Sequence, residues 1–169
     1  MPITYTPIAT YTFANSTTRL VTLSSIPATY TDLRIVVTGS YTVNDCQWVM
    51  QFNGDTGANY SFTILNGNGS TVGAGRSSGA GGLAFGWYPY PNAASSQGQN
   101  TIDVMNYSNS TTYKTALSRA NVAATVTDTR VGLWRNTAAI NSITFDVGTY
   151  LTPYWSAGST INIYGIKAA

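Results

Sequence analysis

The chain has 169 residues, of which 8% are charged, a net charge of +2, one cysteine, and neither histidine nor glutamate. Without histidine, a hydrolase triad lacks its base and a typical zinc centre its commonest nitrogen ligand, so no enzyme, metal or cofactor is expected. The eight Lys and Arg residues are spread singly from Arg19 to Lys167, which leaves no basic stripe for nucleic acid and no polybasic patch for a membrane surface.

Residues 1–14 hold Pro2 and Pro7 among Thr, Tyr and Ile, and read as an extended arm separate from a domain over 15–169. Within the arm, Ile3, Tyr5, Ile8 and Tyr11 offer apolar surface for a neighbour to bury. Period-two alternation then marks short strands: residues 19–23; Leu33, Ile35 and Val37; Trp48, Met50 and Phe52; and Tyr60, Phe62 and Ile64. The run continues with residues 83–88, Ile102 and Val104, residues 113–118, residues 129–134, residues 143–147, and Ile161 with Ile163. Helical candidates are almost absent, because Gly and β-branched residues recur throughout. Nine or ten short strands predict an all-β fold, an antiparallel β-sandwich of jelly-roll type.

Asn53-Gly54 predicts a hairpin turn between the Trp48 and Tyr60 runs. Asn53, Asp55 and Asn59 lack the closing glutamate of an EF-hand and read as turn formers, not calcium ligands. The Gly- and Ser-rich stretch 67–82 predicts the longest irregular loop, and 89–99 a second one. Cys46, beside Trp48, reads as a small buried hydrophobe. Trp48 and Phe52 read as core. For Trp134, packing against the second sheet and contact with another subunit stay open. Trp87, Tyr88, Tyr90, Tyr154 and Trp155 lie in or beside loops and are candidate interface residues.

No apolar run approaches the roughly 20 residues that cross a bilayer. The N-terminus lacks the charged region and apolar core of a secretory signal, so cytoplasmic synthesis is expected.

Several phrases carry a family resemblance. They are Ser25-Ile26-Pro27-Ala28-Thr29-Tyr30-Thr31-Asp32-Leu33, Phe52-Asn53-Gly54-Asp55-Thr56-Gly57-Ala58-Asn59-Tyr60, Val131-Gly132-Leu133-Trp134-Arg135-Asn136-Thr137-Ala138-Ala139-Ile140, and Gly158-Ser159-Thr160-Ile161-Asn162-Ile163-Tyr164-Gly165-Ile166-Lys167. With Met105-Asn106-Tyr107 and Lys114-Thr115-Ala116-Leu117-Ser118-Arg119, the stretch from about Thr18 to Lys167 resembles a group of β-rich virion proteins of tailed bacteriophages. That resemblance implies a capsid decoration or cement protein, a head fibre or a tail-fibre domain. It brings no catalytic residues with it. The leading expectation is a decoration protein, made in the host cytoplasm, that sits as a homo-trimer on the outer head surface against the major capsid protein or other virion proteins. A fibre tip that adheres to the host through residues 78–91 and 150–155 is the alternative, followed by a carbohydrate-binding module for a surface glycan.

Overall fold

The computed structural model describes residues 5–43, 46–85, 97–122, 126–148 and 153–167. They form twelve strands: β1 (Tyr5–Thr12), β2 (Leu20–Leu23), β3 (Asp32–Gly39), β4 (Trp48–Phe52), β5 (Tyr60–Gly67), β6 (Val72–Ala80), β7 (Leu83–Phe85), β8 (Gly98–Met105), β9 (Lys114–Val122), β10 (Val126–Trp134), β11 (Ile143–Asp146) and β12 (Thr160–Ile166). Eight make one sheet, in the order β1-β12-β3-β8-β9-β10-β5-β6, and four make the other, β2-β11-β4-β7. All the pairings are antiparallel. The architecture is the expected all-β, jelly-roll-like sandwich.

Alternation explains how the sheets meet. On β3, Leu33, Ile35 and Val37 are buried while Arg34, Val36 and Thr38 are less so, and β4, β8, β9 and β12 show the same period. A strand turns every second side chain to one face, so the buried set meets the opposite sheet. Trp48 lies at the centre of this layer, 4.5 Å from Phe85, 5.8 Å from Phe145 and 5.9 Å from Trp155 between ring centroids. Trp155 in turn stacks on Phe13 at 5.0 Å and meets Tyr41 at 5.2 Å. Each such pair adds about 0.5–1.5 kcal/mol beyond the area buried. Gly132 lets the sheets close near β7, since a Cβ there would fall 2.8 Å from the Leu83 side chain.

The N-terminal segment differs from the expected arm. Tyr5–Thr12 is the edge strand of the large sheet, paired with β12 from Tyr5↔Ile166 to Thr12↔Thr160, and the following Phe13 is 1% exposed. Pro7 fits because the strand is outermost and its register shifts between Pro7 and Ala9. An edge tolerates a missing donor on its open side.

Residues 67–82 also depart from expectation. Most of them form β6, a nine-residue edge strand templated by β5, and the turn before it lies at Asn68–Thr71. Its Gly and Ser residues give no alternation because both of its faces are largely exposed. Asn53-Gly54 makes a turn with two consecutive positive φ angles, 53° and 68°. It is no hairpin, however, since β4 and β5 belong to different sheets. Asn53 instead clamps a neighbouring loop, donating to Ala139 O and accepting from the backbone N–H groups of Asn141 and Ser142.

Phe13→Ala is expected to cost about 3–5 kcal/mol, the usual loss for truncating a buried Phe. Urea unfolding should show it as a lower midpoint, and deletion of residues 2–12 should also lower that midpoint by stripping β12 of one of its two partners.

Candidate functional site

The sequence-predicted contact residues separate into three groups. Tyr5 is 43% exposed and its hydroxyl accepts from Arg34 Nη1 at 2.7 Å, while Ile8 and Tyr11 are half-buried against the core. Tyr154 is exposed. Trp134 and Trp155 are core residues, 0% and 1% exposed, so their reading as interface residues is corrected. Both are large side chains on the inner side of strands or bridges facing the opposite sheet. Ile3, Trp87, Tyr88 and Tyr90 lie outside the described residues.

Trp134 points inward because Val131 and Leu133, one register step away, point outward. The outer face of the large sheet can be read row by row across β8, β9, β10, β5 and β6. One row runs Asp103, Leu117, Val131, Thr63, Arg76; the next runs Thr101, Arg119, Thr129, Leu65, Ala74. On the other side lies Met105, Thr115, Leu133, Ser61, Ser78. Val131 is 52% exposed, Leu65 57%, Met105 45%, and Val72, at the end of β6, 94%. Aliphatic side chains thus form a band from Met105 to Val72, separated by threonines. A groove of about 740 Å3 beside Leu65, Val72 and Thr129 ends the band. Adjacent exposed apolar residues of this kind mark an interaction surface more often than scattered single ones do.

Arg76 and Arg119 are exposed on this face, whereas its other two charged residues are paired. Arg34 and Asp103 neutralise each other through paired contacts of 2.6 and 3.0 Å. The hydrogen bond to Asp103 is the main cause holding the Arg34 guanidinium above its ordinary pKa.

The interior carries polar groups of a different kind. Arg130 and Asp128 form a buried pair at 2.8 Å, and Arg130 also donates to Ala84 O at 2.5 Å. Beside them Tyr41, Asn100, Asp128 and Trp155 line a cavity of about 30 Å3, room for two or three water molecules at roughly 10–15 Å3 each. Burial holds the Tyr41 phenol well above its ordinary pKa and pushes the Cys46 thiol up to about 12. Both stay protonated and unreactive at neutral pH, and the buried-hydrophobe reading of Cys46 stands.

Most of the described aspartates are held by donors of their own. Asp103 pairs with Arg34, Asp146 with Arg19, Asp128 with Arg130, and Asp32 accepts from Asn106 N. Asp55 accepts from Trp134 Nε1 at 2.8 Å, from Asn59 Nδ2 at 2.9 Å and from Gly57 N at 2.9 Å. With N–H donors on both oxygens, Asp55 organises its turn, as the sequence reading expects.

No protein-family model matches the chain, and no curated protein is similar to it in sequence. Among solved structures, a galectin of Caenorhabditis elegans is similar at TM-score 0.39 and 8% identity, over 94% of this chain and 96% of that one. A toad ovary galectin in complex with thio-digalactose aligns at 0.40 and 9%, over 86% and 98%. The PL-14 alginate lyase of Aplysia kurodai aligns at 0.38 and 8%, over 95% and 81%. At these scores the likeness extends to no site and no ligand.

The exposed aliphatic band was missed by sequence reasoning, although the signal was present. Leu65 follows the alternating run at 60–64 on its opposite face, and Val131 and Leu133 alternate against Trp134. Alternation identifies two faces without saying which is inside.

Asp55→Ala is expected to leave the fully buried Trp134 N–H without its acceptor, costing about 1–3 kcal/mol in a denaturation titration. The Trp134 hydrogen bond is the first cause holding the Asp55 pKa below its ordinary value. Its contribution is therefore complete above the unfolded-state value of about 3.9 and is lost as pH falls through the lower folded value. Asp55→Asn, which does not titrate, should flatten that acid limb of the stability profile.

Proposed function

We propose that this chain is a structural protein of a bacteriophage virion, a decoration protein that coats the outer head surface and docks through the outer face of its eight-stranded sheet. The observation that carries the docking surface is the aliphatic band of Met105, Val131, Leu65 and Val72, set among threonines and serines on a face that also carries Arg76 and Arg119. Neutral hydroxyls beside exposed aliphatic groups cost little to desolvate compared with charges. The resemblance of residues 18–167 to tailed-phage virion proteins supplies the biological setting. Buried, protonated Tyr41 and Cys46 agree with a protein that works by contact.

Imaging purified particles of a phage carrying this protein tests the reading, the expected result being a regular coat of the sandwich over the head. Density confined to a tail or a fibre would replace decoration with receptor adhesion. Leu65→Glu and Val131→Glu, both at exposed positions, should leave the far-ultraviolet spectrum unchanged. Each should weaken attachment to undecorated heads by at least about tenfold, because a docked face would bury an unpaired carboxylate. Wild-type occupancy by both variants would rule out this face.

A further inference from the structure

Sheet edges are where a sandwich leaves backbone hydrogen bonds unmade, and the four edges here are unequal. β1 is interrupted by Pro7 and by its register shift. β2 has only four residues, and β7 has three, with its Ala84 carbonyl taken by Arg130. β6 has nine residues and no proline, and among the described residues no strand pairs with it on the side away from β5.

The direction of its free groups follows from the turn that precedes it. Asn68 N donates to Thr71 O, so these two residues form a hydrogen-bonded pair. Bonded and non-bonded pairs alternate along an antiparallel ladder. In the register Gly67↔Val72, Asn66↔Gly73, Leu65↔Ala74, the bonded β6 residues are therefore Gly73, Gly75 and Ser77. Val72, Ala74, Arg76 and Ser78 direct their N–H and C=O groups into the open edge.

We propose that this edge pairs with β6 of a second copy of the chain, antiparallel about a two-fold axis at Gly75, joining two eight-stranded sheets into one. An antiparallel two-fold pair is self-complementary, and the other three edges of a second copy are too short, capped or interrupted. Charge sets the register. Centring on Arg76 would oppose two guanidinium groups directly, which is unfavourable. Centring on Gly75 sets Arg76 opposite Ala74 and Val72 opposite Ser78, so all four outward residues of each copy meet outward residues of the other. A Cβ at Gly75 meets nothing within 4 Å in the single chain, which leaves that position open at the axis. Val72, 94% exposed, gains cover from the added strand. The pairing is two-fold, unlike the trimer expected from sequence, and it does not depend on attachment to a capsid.

Sedimentation equilibrium of the full chain tests it, with a dimer expected at micromolar concentration. Ala74→Pro removes one outward donor and spares the β5 ladder, so a folded monomer is expected. A second measurement does not rely on that variant folding: in a Cys46→Ser background, Gly75→Cys should give a disulfide-linked dimer on mild oxidation, while Ser77→Cys, off the axis, should not. A monomeric wild-type chain, a dimer that persists in folded Ala74→Pro, or equal cross-linking at positions 75 and 77 would each overturn the proposal.

Discussion

A single guanidinium governs how the two sheets are held. Arg130 projects from β10 into the layer between them, where its charge is tolerable only if paired. Asp128, two residues earlier on the same face, supplies the carboxylate. Nη1 donates to Ala84 O, and the guanidinium lies 5.9 Å from the Phe85 ring. Both partners are 2% exposed or less at the side chain, so the pair is withdrawn from bulk solvent. The short β7 is thereby fixed above β10, and Phe85 is placed against Trp48.

This arrangement separates two kinds of surface. The charged Arg130 and Asp128 are turned inward and paired with each other, while aliphatic groups that elsewhere fill a core are turned outward on β5, β9 and β10. The result is a chain whose outer sheet face is more adhesive than reactive. On that face the Arg34–Asp103 pair cancels, and Arg76 and Arg119 are the charges left exposed beside the aliphatic groups.

Ten of the twelve strands were legible in the sequence, and the two missed are the edges of the large sheet. The reason is physical. Period two arises when one face is buried and the other wet, and β6 is exposed on both sides. β1 carries Pro7, which speaks against an interior strand but not against an outermost one. Trp48 and Phe52 were assigned correctly because a whole run shares their face, whereas Trp134 and Trp155 were judged from two or three neighbours. The inward Arg130 was invisible, since nothing local marks a charged residue whose acceptor is a carbonyl 46 residues away. Asn53 has the φ its dipeptide predicts, yet the strands on either side part company, because turn chemistry sets a local bend and not the sheet each strand joins.

The closure of β1 onto β12 bears on how the chain reaches this state. Tyr5 pairs with Ile166, and β3, near the middle of the large sheet, needs β12 as one of its two neighbours. Neither strand can be completed until residues 160–166 have left the ribosome. Contacts so distant in sequence fold slowly, over about milliseconds to seconds in all-β domains. During synthesis β3 must therefore wait with one edge open and Leu33, Ile35 and Val37 uncovered. That interval, not the finished sandwich, is when this protein is most exposed to wrong pairing.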